Sequence, residues 1–366
     1  MDHLSNLKIG YFFNRYFWII LGVISVGLRY VAGEAPQYVE RFYSRGIYPC
    51  IRWFFDHSIG LLPFPLLYVF YGLIFYFLYK VIRLVFNKKI TAKNRLIETV
   101  YGLTSFAGFM VFWFLFLWGF HYARPSFAEQ TNLIIQKPDS LALFEELKIA
   151  AAEATAARTK VTNSPLSETQ LPDDFENLTR REVTRFLETE GFKAGGGLRG
   201  RNINPYGILN RFGISGIYMP YVGEANIDAG LHDLEKPYDL AHEMAHGYGW
   251  TEEATANFIA YLTCRQSDNA FMRYSGFLNH YRYVASNCKR LNTEGYQRFR
   301  DALPVGIKAD LDAINERQKK YPSWLETDWM NDIFLRSQGV KEGVASYSKV
   351  VVLVYSWRKK KESIER

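Results

Sequence analysis

Two histidines four residues apart, His242 and His246 in "HEMAHGYG", carry the strongest chemical signal in the chain. On a helix they stand one turn apart on one face, where both imidazoles can reach a single metal ion. Zinc suits two imidazoles and one further oxygen ligand. Glu243 lies on the neighbouring edge of the same helix. It can take a proton from water beside the metal without being a ligand, which is the place a general base needs. Pro237 suits the first turn of such a helix.

A third ligand must follow, and "GWTEEATAN" offers adjacent acids, Glu252 and Glu253. Gly247 and Gly249 permit a tight turn after the first helix, and Thr251 is a natural N-cap for the next. In an astacin-like spacing Glu252 takes the third place. In a thermolysin-like spacing it is Glu253, on a separate helix. Asn257 lies one turn beyond Glu253 and can hydrogen-bond a ligating group to fix its orientation. That partner favours Glu253 as the ligand and leaves Glu252 as an acid at a helix start.

The elements that position these residues begin with apolar runs. Leu61 to Tyr79 and Thr99 to Phe120 contain no charge, and about 20 residues cross a bilayer as helix. Ile9 to Val31 is a third run, with Arg15 and Arg29 near its ends, where arginines snorkel to headgroups. We read it as a retained span rather than a cleaved signal peptide, because its flanks are aromatic. The spans are placed at about 10–31, 61–82 and 99–120. Between the second and third lie Lys80, Arg83, Lys88, Lys89, Lys93 and Arg95 against a single acid, Glu98. The positive-inside rule puts that loop and the N-terminus in the cytoplasm and everything after Tyr122 outside. The net charge of +7 and pI near 9.0 are thereby explained by topology, so no nucleic-acid partner is expected.

Residues 1–122 then form a membrane domain that meets the lipid bilayer, and 123–366 a second domain. Helices are expected at 140–161, N-capped by Ser140, at 177–191, at 237–248 and at 251–266. "GISGIYMPYVGEANIDAG" (213–230) is the best strand candidate, with Pro220 arguing for an edge. The fold class is mainly α: N-terminal transmembrane helices followed by a zincin-like α+β domain with a small sheet. Cys50, Cys264 and Cys288 make no disulfide framework or cysteine zinc cluster, and Cys264 and Cys288 read as buried thiols rather than a bridge.

The segments "VERFYSRGIYP" (39–49), "SGIYMPYVGEANI" (215–227), "HEMAHGYG" (242–249), "ANFIAYL" (256–262) and "GVASYSKVV" (343–351) resemble a family of Gram-negative bacterial inner-membrane proteins of unknown function with zinc-metallopeptidase character. The resemblance runs over nearly the full chain. It implies a glutamate seven residues after the second histidine and an asparagine four further on, which fall on Glu253 and Asn257. It implies no substrate.

These readings together predict a membrane-anchored peptidase with a periplasmic catalytic domain. Zinc sits on His242, His246 and Glu253, Glu243 is the base, and a peptide or protein is the substrate. Substrate would pair with the strand, touching Tyr218, Glu224 and Asn226. Tyr347, His280 and Arg282 are candidates for stabilising the oxyanion, Tyr347 first. The rival reading is a non-catalytic zinc protein of the envelope that binds peptide or cell-wall material. Three ligands without a cysteine knuckle favour catalysis over a closed structural site.

Overall fold

The computed structural model describes residues 2–161, 171–324 and 349–365, with side chains from Tyr16 onward. The chain divides into two compact units, Met1–Ile51 with Leu66–Arg124 and Pro220–Val222, and Arg52–Pro65 with Pro125–Met219 and Gly223–Arg366.

The first unit is built on three long helices, α1 (Asp2–Gly33), α2 (Leu67–Val85) and α3 (Ala92–Leu117). Each is long and apolar enough to cross a membrane, over Tyr16–Gly33, Leu67–Val85 and Ala92–Leu117. The second therefore starts later than the predicted 61, after Pro63 and Pro65, because proline lacks the N–H an interior helical position donates. Thr91 caps α3 by accepting the Asn94 N–H at 3.3 Å. Helices α1 and α3 cross at glycines. A methyl on Gly22 would lie 2.7 Å from the Gly108 Cα, and one on Gly108 would lie 2.3 Å from the Trp18 carbonyl oxygen. Such close backbone approach is what small residues allow between helices in lipid. A π-helix, Val39–Ile47, follows α1, and in it Glu40 binds Arg124 at 2.8 Å.

The second unit holds the chemistry. Its helices include α4 (Ser140–Val161), α5 (Phe175–Thr189), α6 (Lys236–Gly247), α7 (Glu253–Gln266), α8 (Ala270–Leu291), α9 (Val305–Lys319) and α10 (Lys349–Glu365). Helix α4 spans the expected residues, but Asp139 rather than Ser140 caps it, accepting the Ala142 N–H at 2.8 Å. The expected single strand is a hairpin. It comprises β2 (Gly216–Met219) and β3 (Glu224–Asp228), and β1 (Gly200–Ile203) completes a sheet of order β1-β3-β2. β1 runs parallel to β3 and β2 antiparallel. Pro220 ends β2, where a missing N–H does not break the ladder.

One face of the sheet rests on α6. A methyl at Gly200 would collide with Leu240 and Met244, both fully buried. The other face carries Glu224, Asn226 and Asp228, so β3 is covered on both sides. Helix α7 is almost entirely buried, from Ala254 to Cys264. Cys264 and Cys288 are free and buried, and Cys50 is free and exposed.

Candidate metal centre

Helix α6 presents His242 and His246 on one face, as their spacing requires. Their Nε2 atoms are 3.1 Å apart. The Glu253 carboxylate closes the triangle, with Oε2 at 3.2 Å from the His242 Nε2 and Oε1 at 3.5 Å from the His246 Nε2. Among the described residues these three form the one group of histidine, cysteine and acidic side chains arranged to share an ion.

The far side of each ring is equally defined. The His242 Nδ1 meets the Asn257 Oδ1 at 3.0 Å, and the His246 Nδ1 meets the Trp250 carbonyl at 2.6 Å. Both oxygens accept, so both Nδ1 atoms carry the proton and both Nε2 atoms turn a lone pair toward Glu253. Three acceptor groups then face one point, an arrangement that could hold a cation. In the metal-free protein a proton serves. Burial lowers the His246 pKa, but Glu253 and Glu243 outweigh it and push the imidazole up to about 9. Burial likewise raises Glu253, but the two imidazoles outweigh it and hold the carboxyl well below the usual range.

The turn between α6 and α7 makes this possible. Gly249 adopts φ +85°, which favours glycine, and the next residue turns its carbonyl to His246. Thr251 does not cap α7. Glu252 holds the N-cap position, and its Oε2 accepts the Thr255 hydroxyl at 2.7 Å. Glu253 is thus the first residue of α7, where the helix dipole favours a carboxylate.

Asn257 is more than a single contact. Its Oδ1 also accepts the Tyr283 hydroxyl at 3.0 Å and the Tyr238 hydroxyl at 3.3 Å. Tyr238 further donates to the Asn257 backbone carbonyl at 3.0 Å. These tyrosines, on α6 and α8, escaped the sequence reading because their contacts are long-range.

Glu243 is buried, and its carboxylate lies against β2. A methyl on Gly216 would sit 2.8 Å from its Cγ and Oε1. The pairing register turns the N–H and C=O of Gly216 and Tyr218 away from β3, toward the outer edge of the described sheet. From that edge the Tyr218 N–H donates to Glu243. Burial raises the Glu243 pKa, partly offset by His242 and His246. Asp239, one turn before His242, was not singled out in the sequence. Its position three residues ahead on the same face was the available signal. Burial first, then Glu235, push its carboxyl up to about 7.

The remaining predicted residues lie elsewhere. Glu224 is fully buried in an ion pair with Arg201 at 2.9 Å, on the central strand. Asn226 is fully buried, with Nδ2 donating to the Ile217 and Glu224 carbonyls. Neither is open to substrate, because β3 is covered on both faces. The Tyr218 side chain is also buried, its hydroxyl accepting from Arg52 at 3.4 Å, so only its backbone faces the site. His280 is not an oxyanion donor: it is buried against Tyr261, and burial lowers its pKa to about 3. Arg282 is held by Glu235 at 2.8 Å and Asn279 at 2.9 Å. Tyr347 lies outside the described residues.

A family model described as "Protein of unknown function (DUF3810)" matches residues 43–355. The chain belongs to this family. The matched span contains the whole histidine–glutamate cluster and two of the three apolar helices. No curated protein and no solved structure matches the chain.

Proposed function

We propose that this family member is a membrane-anchored zinc peptidase of gluzincin type, with its catalytic unit in the bacterial periplasm. The observation that carries this reading is the donor set: two imidazoles, each locked at Nδ1 by an oxygen, and one carboxylate meeting at their Nε2 atoms. Such partners behind the ligands are typical of zinc sites. His242, His246 and Glu253 would give zinc three protein ligands, the number found in catalytic rather than structural sites. Zinc held there supplies Lewis acidity, acidifying water and polarising a carbonyl.

The chain supplies the rest. Glu243 removes a proton from water as the oxygen bonds to the scissile carbonyl carbon, and passes that proton to the amine as the C–N bond breaks. Its burial and the nearby Glu253 favour accepting a proton at neutral pH. The edge of β2 beside it, which pairs with no further described strand, offers the Gly216 carbonyl and N–H to an extended peptide backbone. The basic loop between α2 and α3 supports an inner-membrane anchor with the loop and the N-terminus in the cytoplasm.

Purified protein should hold about one zinc per chain, lose it in His246→Ala, and cut a peptide library. Glu243→Gln should keep the zinc and lose cleavage by a factor of roughly 10²–10⁴. Absence of zinc in the wild type overturns the reading. Zinc without cleavage of any peptide would favour a non-catalytic envelope protein.

A further inference from the structure

Glu235, Asp239 and Glu243 follow one another at four-residue intervals, so three carboxylates form one ridge beside the metal ligands. Like charges so spaced weaken a helix. Two of the three are accounted for. Glu243 accepts the Tyr218 N–H and faces the reacting water. Glu235 Oε1 accepts from Arg282 at 2.8 Å and Gln318 at 2.9 Å, so its charge is balanced. The Asp239 carboxylate has no hydrogen bond or ion pair among the described residues, although it is only part-exposed. Beside it Glu235 Oε2 is buried and also without a partner. Glu235 is close enough to raise the Asp239 carboxyl, second only to burial.

We infer that Asp239, backed by Glu235, binds the free amino terminus of a peptide substrate, so that the enzyme is an aminopeptidase. This rests on the peptidase reading. The argument is one of distance and charge. Asp239 precedes His242 by three residues, about 4.5 Å along the helix axis. An amino terminus lies two bonds from the carbonyl carbon of its own residue, so an ammonium group here puts the first peptide bond at the metal. An endopeptidase substrate would instead bring a neutral amide and a carbonyl against a carboxylate that His242 and Arg282 offset only at a distance, without a hydrogen bond, and burying such a charge is costly. A primary ammonium would pair with the part-exposed Asp239 carboxylate, with the buried Glu235 oxygen behind it adding to the field, and would remove the repulsion along the ridge.

The test uses full-length protein in detergent with zinc content measured in every sample. Binding of leucyl-alanyl-phenylalanine and its N-acetyl form is measured on Glu243→Gln, which does not turn over. The free peptide should bind at least tenfold more tightly, and adding Asp239→Asn should erase that preference while zinc content and acetyl-peptide binding stay unchanged. Wild-type protein should release leucine and leave the acetylated peptide intact. Equal binding of the two forms, preference that survives Asp239→Asn, or failure of both to bind at millimolar concentration overturns the inference. So does tight binding of an N-acetyl-lysyl peptide, which would place a side-chain amine there. Cleavage of the acetylated peptide with zinc present sinks the amino-terminal site alone, whereas absence of zinc sinks the peptidase reading.

Discussion

The His242 Nδ1 is bonded to the Asn257 Oδ1 at 3.0 Å, and that oxygen is itself fixed by the hydroxyls of Tyr283 and Tyr238. The orientation of one imidazole therefore depends on three helices. Replacing Asn257 with Ala should weaken zinc binding by about 10- to 100-fold. Competition with a chromophoric chelator measures it, and an unchanged affinity would mean that the ring is held by other contacts. Tyr283→Phe removes only one donor and should weaken zinc less.

Gly216 gives a second test. A methyl there would lie 2.8 Å from the Glu243 Cγ and Oε1, and 2.8 Å from the Asn226 carbonyl oxygen. Gly216→Ala must therefore displace the carboxylate or the strand, at about 1–3 kcal/mol. Zinc content should stay near one per chain while kcat falls at least tenfold.

How much of this was legible follows from where the signals lie. His242, Glu243, His246, Glu253 and Asn257 are local: two helices and a turn place them, and helical periodicity orders residues three and four apart. Glu224 and Asn226 were expected to meet substrate because alternation marks a strand's two faces but not whether both are covered; α6 covers the face of Ala225 and Ile227, and on the other face Glu224 is closed in by its ion pair with Arg201. Pro220 pointed to an edge, and β2 is an edge strand of the sheet; that the same proline also opens a hairpin turn to β3 was not legible. Tyr238 and Tyr283 needed the packing of α6, α7 and α8, which no short window contains.

Asp239 yields a pH prediction for protein stripped of metal. Its carboxyl is raised to about 7, above the ordinary 3.8, by burial first and then by Glu235. The folded state thus binds this proton more tightly than the unfolded chain. The stabilisation is present below pH 3.8 and is lost as pH rises toward 7. At pH 8 Asp239→Asn should raise Tm by about 2–5 °C, and the gain should shrink by pH 5. Differential scanning fluorimetry at the two pH values decides it. A gain that is independent of pH would show that the charge is not its source.

In the membrane unit, Gly108→Leu should separate α1 from α3, because a side chain there meets the Trp18 carbonyl oxygen at 2.3 Å. Gly72→Leu is the control, since a Cβ at Gly72 meets nothing within 4 Å. Thermal aggregation in detergent should begin at lower temperature for the first variant and remain unchanged for the second.

The missing side chain at position 216 also bears on how this protein can change over generations. The room taken by the Glu243 carboxylate is the room any side chain at 216 would need, so packing and chemistry are selected through one atom's worth of space. Ile217, whose side chain is half-exposed on the same strand, carries no such double duty. Among descendants of this chain, drift should stop at one residue and pass freely through its neighbour.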